Sequence, residues 1–229
     1  EWRSDESVAQ RPLHSAHRPC LVAHFLVDYL CLISMKQKVY LFDFDGTITT
    51  KYTFVALILY AVGTWKCLVG FALYSPLLLL MKLHLYPNWK AKQRVFSHFF
   101  KGKSLEDFNK LCRNFAANNR SLLRSEAMKA IDEARNQGEV YVVSASVDNW
   151  VQPFLPHVVV VGTQLEVADG LLTGRFSTRN CYGIEKVNRV KQLLTASRSQ
   201  YYIIAFGDSR GDNEMLNYAD EAHYQPFKS

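Results

Sequence analysis

Hydrophobic positions along the chain follow two regimes. In the first, short apolar runs rich in β-branched and aromatic residues recur at 39–42, 140–143, 158–161 and 201–206, each followed by small or polar residues. Their hydrophobicity is continuous rather than alternating, which predicts strands covered on both faces, as in a parallel sheet flanked by helices. Helical stretches lie between them at 104–117, 121–137 and 185 to about 195. Ser104, with Asp107 three residues on, opens the first like a capping box, and Gly138 closes the second as a C-terminal glycine does. The alternation predicts a doubly wound, Rossmann-like α/β domain with a mostly parallel sheet. One segment departs from it: 164–174, where Asp169-Gly170 predicts the turn of a hairpin.

The second regime occupies 51–103. Stretches 54–65 and 67–81 are almost wholly apolar, interrupted by Gly63, Gly70 and Ser75-Pro76. This segment holds eight Lys and Arg residues and not one Asp or Glu. It predicts an α-helical cap, apolar and purely cationic, inserted after the first strand. The expected organisation is a core domain of 35–50 and 128–229, a cap of 51–127, and an N-terminal extension of 1–34. Within that extension, 21–33 follows Arg11 and Arg18 in the outline of a secretory signal. His24 and Asp28 interrupt the run and no small-residue cleavage pattern follows, so Met35 is the expected start of the folded unit.

Composition narrows the picture only a little. A chain of 229 residues buries a substantial core. Its net charge of +6 favours an anionic partner without choosing among nucleic acid, lipid headgroups and phosphorylated metabolites. The five cysteines are scattered, with no pairing or zinc-like spacing, as in a reducing cytoplasm. Nothing in the pattern selects an oligomeric state.

Four constellations fall at strand ends or helix starts, where ligands bind in open α/β sheets. Asp43-Phe44-Asp45-Gly46-Thr47 places two carboxylates at i and i+2 just past a strand, with a glycine that permits a tight departure. Such carboxylates repel unless one is protonated or a cation lies between them, and Mg²⁺ suits them. Val143-Ser144-Ala145-Ser146 ends a strand with a hydroxyl and free amides able to grip phosphate oxygens. Lys186 begins a helix, where it and the helix dipole can face one anion. Gly207-Asp208 through Asp212 again sets two carboxylates after a strand. Each has a bland counterpart: Asp45-Gly46 as a turn, Asp208 or Ser144 as a helix cap, Lys186 as a solvated lysine. Four independent turns would not yield this ordered set.

Taken in order, these motifs resemble those of the haloacid dehalogenase superfamily, in the branch that includes phosphoserine phosphatase, across 38–228. Asp43 to Thr47 is similar to its D-x-D-G-T signature, Ser144 to its strand-end Ser/Thr, Lys186 to its single lysine, and Gly207-Asp208 with Asp212 to its G-D-x-x-x-D. The resemblance implies a Mg²⁺-dependent phosphomonoester hydrolase. Asp43 would be the nucleophile, forming an aspartyl-phosphate, and Asp45 the general acid and base. Asp43, the Asp45 carbonyl and Asp208 would hold the ion, Asp212 would support it, and Ser144 and Lys186 would bind the phosphate.

Substrate is a separate question. Phosphoserine phosphatases usually carry Glu nine residues after the nucleophile, where this chain has Tyr52, and Ser-Gly-Gly where it has Ser144-Ala145-Ser146. Both departures count against phosphoserine. The acid-free cap and Cys181-Tyr-Gly-Ile-Glu-Lys-Val187 are closer to the lipid-directed phosphatidylglycerophosphatase C type, which implies a lipid phosphate and peripheral contact with an anionic membrane at its cytoplasmic face. A full membrane span is disfavoured, because 67–81 is short and contains Ser75-Pro76. The competing expectations are a soluble phosphatase for a small metabolite, with the apolar stretches folded as a buried helical hairpin, and a receiver-type phosphate-binding module. Receivers are shorter and lack such a cap. Nucleic acid is not expected as a partner, since the basic residues lie among aliphatics rather than interleaved with aromatics.

Overall fold

A computed structural model describes residues 36–228. The expectations for 1–34 and for Met35 lie outside the described residues. Five strands form one parallel sheet: β1 (Gln37–Phe42), β2 (Glu139–Val147), β3 (Val159–Thr163), β6 (Tyr201–Gly207) and β7 (Glu221–Tyr224), in the order β3-β2-β1-β6-β7. β4 (Leu165–Ala168) and β5 (Leu171–Phe176) make the expected antiparallel hairpin about Asp169-Gly170. β1 shows why a continuous apolar run becomes a central strand. Tyr40 and Phe42 belong to the larger core on one face of the sheet, while Val39 and Leu41 pack with Ile203, Ala205 and Val190 on the other. Burying each such side chain contributes roughly 1.5–3 kcal/mol.

Between β1 and β2 lie α1 (Thr53–Lys82), α2 (Asn88–Phe100), α3 (Leu105–Asn118) and α4 (Ser125–Arg135). α5 (Ile184–Leu193) precedes β6 and α6 (Asn213–Tyr218) precedes β7. The Ser104 hydroxyl accepts from the Asp107 amide at 3.0 Å, as its capping pattern predicts. Cys67, Cys112 and Cys181 are buried free thiols.

Four features differ from the pattern reading. β2 runs past Val143 to Val147, and its pairing with β3 shifts between those residues, so Ser144–Ser146 sits in an irregular stretch within the strand rather than beyond its end. β7 is a fifth strand too short and polar to be read as one. The predicted helix over 121–137 is a short turn, Arg120–Leu122, followed by α4. Finally, the two apolar stretches of 51–103 are helices that meet at a kink, where Gly63 leaves helical geometry. They form one 30-residue element, α1, bent at Gly63 (φ 78°, ψ 169°), with Pro76 inside it, and it packs on α2. Shortness therefore no longer counts against α1 as a span: by length and composition it could cross a membrane.

Candidate active site

Strand order reverses between β1 and β6, and the site lies at that switch point, beyond the carboxyl ends of the strands. The Asp43 amide donates to the Phe206 carbonyl at 2.9 Å, locking the end of β1 to its neighbour. The chain then leaves through a tight helical turn, Phe44–Ile48, in which Gly46 adopts φ 91°. A Cβ on Gly46 would come within 2.5 Å of Asp208 Oδ2, so only glycine lets the first loop close against the second.

All six expected residues converge on this corner except in one respect, the side chain of Asp45. Asp43, Asp208 and Asp212 present oxygens within 4.8 Å of one another, all three side chains buried. The Asp45 carboxylate is not one of that trio and has partners of its own. Its Oδ1 accepts from the Thr53 amide at 2.6 Å and the Thr53 hydroxyl at 2.7 Å, and its Oδ2 accepts from the Ser146 hydroxyl. Trp150 Nε1 donates to Thr53 Oγ1 at 3.2 Å and holds that clamp in place.

Lys186 is 1% exposed and stands between the acids. Its ammonium donates to Asp43 Oδ1 at 2.5 Å, Asp212 Oδ1 at 2.6 Å and the Val143 carbonyl at 2.7 Å, which engages all three of its protons. Burial works against that charge, but Asp43 and Asp212 outweigh it and raise the lysine pKa. Asp212 Oδ2 accepts from the Ser209 amide at 2.9 Å and its hydroxyl at 2.8 Å. Burial opposes the Asp212 charge, yet Lys186 and Ser209 hold its carboxyl below the usual range. Burial pushes Asp43 up to about 7, with Lys186 pulling the other way. Ser144 Oγ accepts from the Ser146 amide at 3.1 Å and lines the same cleft.

The carboxylates fit a hard divalent cation. Asp208 Oδ1 is buried without a hydrogen-bond partner among the described residues, while its Oδ2 pairs with Lys228 at 2.9 Å. The unpartnered Asp208 oxygen and the three acids gathered there are donors of the kind an oxygen-seeking ion takes.

Above this polar floor the cleft, of about 360 Å³, is walled by the cap: Phe54, Val55, Phe71, Leu78 and Met81 from α1, and Val95 from α2. Lys92 was not singled out by the pattern reading. It reaches from α2 to the Ala145 carbonyl at 2.7 Å, with Phe54 and Trp150 ring centroids 5.8 and 5.7 Å from its ammonium. Burial lowers its pKa to about 8, with Asp45 opposing. The available signal was a lysine falling in line with Val95, Phe96 and Phe99, on the apolar face of an otherwise amphipathic helix. Thr53 and Ser146 were likewise missed as partners of Asp45.

A doubly wound domain with carboxylates gathered at its switch point and helices over them can hold a cation and a charged ligand together. The sequence model of the haloacid dehalogenase-like hydrolases matches residues 40–217, and the chain belongs to that family. Protein CicA of Caulobacter vibrioides is 31% identical over 236 residues, covering 99% of this chain and 96% of that protein. A protein of unknown function from Bordetella pertussis Tohama I superposes with a TM-score of 0.71 at 18% identity, over 80% of this chain and 86% of that one. A substrate-bound phosphoserine phosphatase superposes with a TM-score of 0.55 at 20% identity, over 80% and 83%. The chain is thus a hydrolase of this family with the fold of its phosphatases.

Proposed function

We propose that this hydrolase is a Mg²⁺-dependent phosphomonoesterase that works through an aspartyl-phosphate on Asp43, with an amphiphilic substrate, a lipid phosphate such as phosphatidylglycerophosphate. The observation that carries the reading is the pairing of a buried, lysine-anchored carboxylate with a clamped carboxylate two residues on, in one cleft. Asp43, fixed by Lys186 and the β1–β6 hydrogen bond, attacks phosphorus. As the P–O ester bond breaks, Asp45 gives a proton to the leaving alkoxide. A water then attacks the aspartyl-phosphate, Asp45 takes its proton, and phosphate leaves with Asp43 restored. Thr53 and Ser146 keep Asp45 oriented for both transfers. The ion, held by Asp43, Asp208 and the Asp45 carbonyl with Asp212 behind them, would supply charge neutralisation for the phosphoryl group. Ser144 would hold a phosphoryl oxygen, a role its place in the cleft lining supports. Lys186 could do so only by giving up one of its three present acceptors.

The apolar walls favour an acyl or other hydrocarbon group next to the phosphate, delivered from a membrane. The polar side chains of Asn180 and Lys92 in the cleft lining favour a second reading, a soluble phosphate ester of a small metabolite. The substrates to compare are phosphatidylglycerophosphate micelles, O-phosphoserine and p-nitrophenyl phosphate, with Mg²⁺. Preference for the micellar ester is expected. Equal turnover of all three would remove the lipid assignment, and activity surviving Asp43→Asn would remove the mechanism.

A further inference from the structure

α1 does not look like a surface helix of a soluble protein. Its inner face, through Cys67, Gly70, Phe71, Tyr74, Leu78 and Met81, turns toward α2 and the cleft. A soluble helix would then be polar on its opposite face. Here that face carries Trp65, Leu68, Val69, Leu73, Leu79 and Leu80, with Trp65 77% and Leu73 65% exposed, and the chain continues past the helix with exposed Leu83 and Leu85. The most apolar 18-residue window of α1 has a mean hydropathy of 1.8, and only 22% of it is buried. α2, the neighbouring helix, is amphipathic in the ordinary way, so the apolar outer face is particular to α1.

We infer that the outer face of α1 and the turn to α2 form a docking surface for an anionic lipid bilayer, lying in the interface rather than crossing it. Charge selects this occupant: Lys66, Lys82 and Lys90 are exposed around the patch, and no carboxylate occurs anywhere in 51–103. Trp65 and Trp89, both exposed, have the amphipathic rings that settle at the level of lipid headgroups. Immersion stops at the interface because the same helix lines the catalytic cleft through Phe71, Leu78 and Met81. α2, packed against it, carries Lys90, Lys92 and Arg94, which the hydrocarbon would exclude. Leu78 and Met81 wall the cleft while Leu79 and Leu80 beside them face outward, so the end of the cleft adjoins the patch. This placement deepens the lipid-phosphate reading and takes its purpose from it, since a substrate could pass from leaflet to site without its hydrocarbon entering water.

Binding is tested apart from turnover, with the full chain carrying Asp43→Asn and vesicles of phosphatidylcholine alone or mixed with phosphatidylglycerol. Co-sedimentation with the anionic vesicles is expected, reduced about tenfold or more by Leu68→Gln, Leu73→Gln and Leu80→Gln together, and reversed by alkaline carbonate. In the Asp43 background the same triple change should leave p-nitrophenyl phosphate turnover at the level of the parent protein. Failure to bind anionic vesicles would overturn the inference. So would resistance to carbonate, which marks a span, or a concentration-dependent dimer abolished by the triple change, which would make a second copy the occupant. None of these outcomes bears on whether Asp43 is a nucleophile.

Discussion

At the level of single residues, the site is a problem of crowded negative charge solved by position. Gly46 is the tightest point. Alanine there would require a positive φ and would drive Cβ into Asp208. Gly46→Ala is expected to cost about 1–3 kcal/mol of stability and to weaken Mg²⁺ binding, as thermal unfolding and a Mg²⁺ titration would read. Asp43 gives a pH signature. Its folded pKa, about 7, lies above its ordinary 3.8, so the metal-free fold keeps a proton that the unfolded chain has lost. That contribution favours folding at low pH and declines as pH rises from about 4 to about 7. A cation must displace the same proton. Mg²⁺ affinity is therefore expected to climb with pH up to about 7 and then level, with proton release at pH 6 but little at pH 8. Calorimetry in buffers of different ionisation heat measures this, and no proton release at pH 6 would contradict it.

Among elements, four strands of the sheet and a helical cap after β1 were readable, whereas β7 and the internal course of the cap were not. Runs such as 39–42 and 201–206 announce buried parallel strands because both faces are covered, so no alternation competes. Asp43, Ser144, Asp208 and Asp212 were readable with them, since each follows such a run closely, and Lys186 was readable as a lysine at a helix start. Thr53, Ser146 and Lys92 were not: their roles come from tertiary proximity to Asp45 and Ala145, which no spacing encodes. α1 defeated the reading for another reason. Glycine and Ser-Pro ordinarily punctuate helices; Gly63 does so through a kink of non-helical backbone, whereas Pro76 is accommodated within the helix that follows. Gly70 has a different duty, since a Cβ there would overlap the Phe99 ring of α2. Gly70→Val is expected to part α1 from α2, costing about 1–3 kcal/mol in unfolding midpoint and raising KM more than it lowers kcat. An unchanged midpoint would show that the two helices are not closely packed.

For the whole molecule, polarity is divided between a core that gathers acids and the first part of the cap, 51–103, which has none. Carboxylates converge where β1, β2 and β6 end, while the segment 51–103 is exclusively cationic and apolar. That division explains how a chain with net charge +6 can gather three acids on the floor of a cleft whose walls are apolar and cationic. The claim on which the rest depends is covalent chemistry at Asp43. Acid-quenching the protein after brief mixing with a rapidly hydrolysed phosphomonoester and Mg²⁺, then mapping peptides by mass spectrometry, tests it directly. The account expects one phosphoryl group on the peptide containing Asp43, absent when EDTA replaces Mg²⁺ and absent in Asp43→Asn. Full turnover with no phosphorylated Asp43 peptide, or with the label on another residue, would contradict it.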